Sequence, residues 1–145
     1  MSVPSGKVNL SFFFGSLIWM FSFSSCGPKL ETLIYVPVNK YISFAEYTTI
    51  GVLETHIYKD IGVHRVVLLH KDIDVWEAYD LTCMYKPRTE GCEIDMTKSN
   101  WLPQCPCCKS VFSLLNEGFP DKGPAQQGLH PYHVYMNNGF LQITN

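Results

Sequence analysis

The sequence predicts an all-β fold: a small antiparallel β-sandwich or barrel from which two cysteine-bearing loops project. Three observations point to it. Short apolar segments rich in β-branched and aromatic residues recur along the chain, each of strand length, with turn residues between most of them. No segment holds a helical period long enough to prefer helix. The stretch 83–124 is dense in cysteine and proline, a composition that suits loops and excludes a run of central strands.

Taken in order, residues 33–38, 48–53, 63–69, 75–79, 111–115, 132–136 and 140–143 read as strands. Residues 39–48 have room for one helical turn. Asn137-Asn138-Gly139, between the last two segments, is a hairpin signal, because Asn and Gly tolerate the positive φ of primed turns. A chain of 145 residues with no internal repeat makes one domain around one core. An apolar fraction of 46% excludes wholesale disorder. A net charge of −2 without any basic stripe argues against nucleic acid as a partner.

The N-terminus sets the expected compartment. Residues 1–9 are polar with one charge, Lys7, and residues 10–23 (LSFFFGSLIWMFSF) are a dense apolar run. That run is shorter than the roughly 20 residues of a permanent membrane-spanning helix. Ser24-Ser25-Cys26-Gly27 follows it, so charged, apolar and small-residue regions succeed one another as in an export signal. Small residues before Cys26 and a glycine after it resemble a lipobox, in which the cysteine is acylated; Phe23 stands where leucine is usual. An ordinary cleaved signal and an uncleaved anchor are the alternatives, and all three put the rest of the chain outside the cytoplasm. The expected organisation is a lipoprotein signal peptide at 1–25, a tether at 26–32 and one domain at 33–145. Lipid on Cys26 would make the membrane a partner and would place the protein in the cell envelope, facing the periplasm or on the outer membrane.

The loop region carries the chemistry. Five cysteines, Cys83, Cys92, Cys105, Cys107 and Cys108, lie among Pro87, Pro103, Pro120 and Pro124. In an exported protein such cysteines serve either as disulfides or as metal ligands. No nucleophile with a positioned base emerges, and the carboxylates are scattered, so no catalytic residues are assigned. The histidines His56, His64, His70, His130 and His133 lie on strands or turns without metal-ligand spacing.

Asp80-Leu81-Thr82-Cys83-Met84-Tyr85, then Cys92, then Cys105-Pro106-Cys107-Cys108-Lys109-Ser110-Val111-Phe112, then Gly118 and Gly123-Pro124-Ala125, resembles the Rieske iron–sulfur family. In that family one loop carries Cys-x-His and a later Cys. A second carries Cys-Pro-Cys-His-Gly-Ser-x-Phe, and a Gly-Pro-Ala segment covers the cluster. The likeness spans residues 62–145. It implies a Rieske-like β-fold whose two loops hold a [2Fe–2S] centre, one iron on two thiolates and the other on two imidazoles. By position, Cys83 and Cys105 match the thiolate ligands, and Cys92 and Cys107 match the pair that forms a cross-loop disulfide in some members.

Both histidine positions are replaced, by Tyr85 and Cys108, and the glycine after the second is Lys109. A phenol with a pKa near 10 is a poor iron ligand, and a thiolate adds negative charge. The first loop is also longer than usual. The sequence therefore favours a Rieske-like exported lipoprotein without the standard centre, stabilised by loop disulfides: Cys92–Cys107, and Cys83 with Cys105 or Cys108. A second reading is a periplasm-facing electron carrier with a variant [2Fe–2S] cluster, or another metal, on Cys83, Cys105 and Cys108, with Tyr85 at the fourth position; it would need a redox protein partner. A third is a thiol–disulfide redox protein using Cys105-x-x-Cys108.

Overall fold

The computed structural model describes residues 30–145 together with Ser2. The expected signal peptide, Cys26 and the first part of the tether lie outside the described residues. Among the described residues no helix is long and apolar enough to cross a membrane.

The centre of the fold is decided by one apolar run. Val66-Val67-Leu68-Leu69 is completely buried at four successive positions, which a strand achieves only when both of its faces are covered. Val66 and Leu68 point into one core, with Tyr58, Ala78, Tyr132, Leu141 and Ile143. Val67 and Leu69 point into another, with Tyr79, Leu81, Phe112, Leu114 and the buried loop cysteines. The strand is β3 (Val66–Asp72), and its hairpin partner is β4 (Val75–Asp80).

Around this hairpin runs a six-stranded antiparallel sheet of order β1-β8-β7-β4-β3-β2, with β1 (Asn39–Ser43) and β2 (Thr55–Tyr58) at its edges. β7 (Pro131–Asn137) and β8 (Phe140–Thr144) form a hairpin closed by Asn138 and Gly139, both at positive φ. This is the primed turn that the Asn-Gly pair dictates. Ile42 of β1 and Leu141 and Ile143 of β8 share the first core with Tyr58 of β2, so the sheet curls until its two flanks meet. The other face of β3 and β4 is covered by the loops and by a separate two-stranded sheet of β5 (Val111–Ser113) and β6 (Phe119–Lys122).

The architecture is all-β and antiparallel with two projecting loops, but several boundaries differ from the sequence reading. Residues 33–38 form no strand: Ile34 and Tyr35 are exposed, Pro37 lacks a donor, and no neighbouring strand faces them. Residues 48–53 are a turn that follows α1 (Phe44–Tyr47), the one helical turn expected in 39–48. The Thr48 and Thr49 hydroxyls donate to the carbonyls of Phe44 and Glu46, and Leu53 sits at φ +64°. The strand lies just beyond, at β2. Residues 111–115 split into β5 and a 3-10 turn at Leu114–Asn116, and β1 and β6 were not foreseen.

Leu68→Ala is expected to lower unfolding free energy by about 2–5 kcal/mol in denaturant titration, because the removed side chain is fully enclosed. Ile73→Ala, at a side chain 76% exposed, should stay within about 0.5 kcal/mol.

Candidate functional site

β4 ends at Asp80, and the chain leaves the sheet there into the first loop. Asp80 is fully buried, and its carboxylate accepts hydrogen bonds from four donors. These are the Val63 amide (2.7 Å), the Thr82 amide (2.9 Å), the Thr82 hydroxyl (2.5 Å) and the Tyr132 hydroxyl (2.9 Å). One side chain thus ties the loop's root to β7 and to the turn before β3. That turn holds the returning limb as well: His64 Nε2 lies 2.6 Å from the Gly91 carbonyl, and Arg65 pairs with Glu93.

Each loop is a small hairpin with a cysteine at its root. In the first, Thr82 faces Glu93, and the Cys83 amide donates to the Cys92 carbonyl at 2.8 Å. In the second, Gln104 bridges to Val111, the Cys105 amide donates to the Ser110 carbonyl at 2.8 Å, and the Lys109 amide donates back to the Cys105 carbonyl at 3.0 Å. Lys109 adopts φ +63°. A side chain in that left-handed region costs roughly 1–2 kcal/mol, which explains physically why glycine suits this position.

The two loops are joined by a disulfide from Cys92, across from Cys83 at the base of the first loop, to Cys107 in the turn of the second, with Cα atoms 6.4 Å apart. Behind it, Cys83, Cys105 and Cys108 are free thiols whose sulfurs all lie within 4.8 Å of one another, Cys83 and Cys108 at 3.5 Å. Cys83 and Cys105 are buried, and Cys108 is half-buried. Cys105 Sγ is also within 4.8 Å of both sulfurs of the bridge. The second disulfide considered for Cys83 is not formed.

Ser110 supports this group. Its buried hydroxyl lies 3.2 Å from Cys108 Sγ and accepts a hydrogen bond from the Ala125 amide at 3.0 Å. Gly123 comes so close that an added Cβ would sit 2.5 Å from Ser110 Cα, so the Gly123-Pro124-Ala125 segment lies directly on the second loop. Burial pushes the Cys83 thiol well above its ordinary range, and hydrogen bonding to Cys105 and Cys108 adds to the rise. Burial opposes ionisation of Cys108 too, but hydrogen bonds from the Ser110 side chain and amide, then from Cys83 and Cys105, outweigh it and lower its pKa.

Tyr85 packs half-buried against the same core, with Lys86 Nζ 5.2 Å from its ring centre. It borders a cleft of about 330 Å³ that Leu30 and Glu31 also line. Arg88 on the first loop donates to the Thr32 carbonyl and hydroxyl, and its amide donates to Glu31, so the N-terminal segment is strapped across this tip. Among the described residues no histidine joins a group of three metal-ligating side chains. His70 is engaged elsewhere, stacked on Trp76 and bonded to the Ile50 carbonyl. Cys105-x-x-Cys108 sits in a hairpin turn, not at a helix start.

Sequence reasoning did not assign Asp80, Ser110 or Arg88 a role. Asp80 and Ser110 stand inside the quoted motif, next to the cysteines they support; nothing local marks Arg88.

No family model matches the chain, and no curated protein matches it. Among solved structures it is similar to a chain from a complex of reduced oxygenase and oxidized ferredoxin in carbazole 1,9a-dioxygenase. The identity is 13% and the TM-score 0.49, over 72% of this chain and 92% of that one.

Asp80→Ala strands two amides and two hydroxyls and is expected to cost roughly 3–5 kcal/mol, whereas Tyr132→Phe, losing one charge-assisted bond, should cost about 1–3 kcal/mol. Equilibrium unfolding of both variants checks the ranking. Replacing Cys92 and Cys107 together by serine should remove roughly 2–4 kcal/mol, chiefly by freeing the unfolded chain. An unchanged unfolding midpoint would mean that the bridge does not restrain the loops in solution.

Proposed function

We propose that this chain is an exported, membrane-tethered envelope protein whose Rieske-like domain keeps the two-loop scaffold without the standard [2Fe–2S] centre. The observation that carries the reading is the donor set at the loop tips. The two cysteines at the loop roots and the cross-loop bridge stand where the family pattern has them. The two imidazoles are a phenol and a third thiol, Tyr85 and Cys108. Neutral imidazoles on one iron are what raise a Rieske potential, so this donor set does not fit that centre.

The sulfur spacing argues in the same direction. Two irons held apart by bridging sulfides separate the ligands of one iron from those of the other. Here the sulfur at the second histidine position lies 3.5 Å from the Cys83 sulfur. Export is supported by the succession of charged, apolar and small residues before Cys26, and a structural disulfide suits an oxidising compartment. Lipid on Cys26 would leave only a few residues before the segment that Arg88 holds, setting the loop tips close to the membrane surface.

The convergence of three thiols supports a second reading, a variant thiolate-rich [2Fe–2S] cluster passing electrons to a protein partner. Iron and acid-labile sulfide analysis of the anaerobically purified full chain separates the two. The first reading expects neither, and no Rieske-type visible absorption or electron paramagnetic resonance signal after reduction. Two irons and two sulfides per chain would replace it with the second. Mass spectrometry of the mature N-terminus tests the tether: an acylated Cys26 is the expected first residue.

A further inference from the structure

We infer that Cys83, Cys105 and Cys108 form a mononuclear site for one thiophilic d¹⁰ ion, Zn²⁺ or Cu⁺, on the inner side of the Cys92–Cys107 clasp. This rests on the reading above, in which the two-iron centre is absent. A metal with bonds of about 2.3 Å to sulfur spaces its thiolates roughly 3.8 Å apart in a tetrahedron and about 4.0 Å apart in a trigonal plane. The three sulfurs already lie within 4.8 Å of one another, with one edge at 3.5 Å. A single ion therefore needs only side-chain adjustment, while the backbone of both hairpins stays where its hydrogen bonds hold it.

The chemistry of the donors selects the ion. Three thiolates with no carboxylate or imidazole among them favour soft metals over Mg²⁺, Ca²⁺ or Mn²⁺. Cu⁺ is satisfied by three sulfurs in a plane; Zn²⁺ would take a water or an incoming ligand at its fourth position. That position opens beside Cys108, since Cys83 and Cys105 are buried and Cys108 is half-buried. Tyr85 is not required as a ligand; it packs against the same core. The disulfide removes Cys92 and Cys107 from the donor set and holds the loops at the separation the other three need.

The test uses the full chain with its disulfide intact and its three thiols kept reduced under anaerobic conditions. Zn²⁺ is titrated against a chromophoric chelator, Co²⁺ serves as a spectroscopic stand-in for Zn²⁺, and Cu⁺ is delivered from a buffered complex. One equivalent is expected to bind. Co²⁺ should give thiolate charge-transfer bands with the visible bands of a four-coordinate site, and direct competition should rank Zn²⁺ against Cu⁺. Cys83→Ser, Cys105→Ser or Cys108→Ser should each weaken binding by roughly 100-fold or more, beyond the 10- to 100-fold that outer-shell changes cost. Tyr85→Phe should keep both the 1:1 stoichiometry and the affinity, whereas the Cys92→Ser, Cys107→Ser double variant, whose loops are no longer linked, should bind more weakly.

Because a cysteine variant can fail to fold, alkylation of the wild-type chain with peptide mapping gives an independent readout. Bound metal should protect Cys83, Cys105 and Cys108 together. No saturable binding and no protection, in protein free of iron and sulfide, would overturn the metal site and leave the proposed function standing. Two irons with two sulfides would overturn both.

Discussion

The bridge between Cys92 and Cys107 is the constraint on which the rest of the loop region depends. It joins the returning limb of the first loop to the turn of the second, and it turns two independent excursions into one rigid edge. A loop tip on its own would sample many separations from its neighbour, and three thiols brought together by chance would not hold a fixed geometry. With the loops linked, Cys83, whose amide donates to the Cys92 carbonyl, and Cys105, whose amide donates to the Ser110 carbonyl, are held in register by bonds at 2.8 Å.

Those roots need a foundation, and the sheet provides it through burial on both faces of β3 and β4. One face closes the curled sheet on itself, and the other is the floor on which the loops rest. Asp80 stands at the seam. A buried carboxylate with four donors is rigid because each donor, left alone in the core, costs free energy. The same residue therefore ends a strand, starts a loop and pins both to β7, which is why a site built on loops can still be well positioned.

Much of this was legible in the sequence, and what was not has a physical reason. The Asn138-Gly139 turn was readable because positive φ at two successive residues is a local demand. The β3 run was readable because four consecutive apolar residues do not fit a half-exposed strand. Residues 33–38 misled because a strand needs a partner as well as a pattern, and β1, a few residues later, is the segment that β8 accepts. β1 and β2 were missed for the same reason: as edges they have one pairing side, and their sequences NKYIS and THIY carry little apolar signal. At the site, the cysteine positions were visible, but their spacing was not. The 3.5 Å contact of Cys83 with Cys108 depends on the turn at Lys109 and on the Ser110 hydroxyl, neither of which spacing along the chain reveals.

Three thiols in one pocket decide what it holds comfortably. Ionised together, they would place three negative charges within a few ångströms. As protonated thiols the three side chains sit together at little cost, being weakly polar and partly enclosed. As thiolates without a counter-ion they would be poorly solvated, and the upward push on Cys83, caused first by its burial, is the sign of that penalty. One cation among them reverses the balance, since each sulfur that loses a proton gains a bond. Tyr85 packs against the core as a phenol, and Cys108 brings a soft, anionic donor to the two buried cysteines. The three sulfurs, all within 4.8 Å of one another, form a cluster of a size that suits one ion.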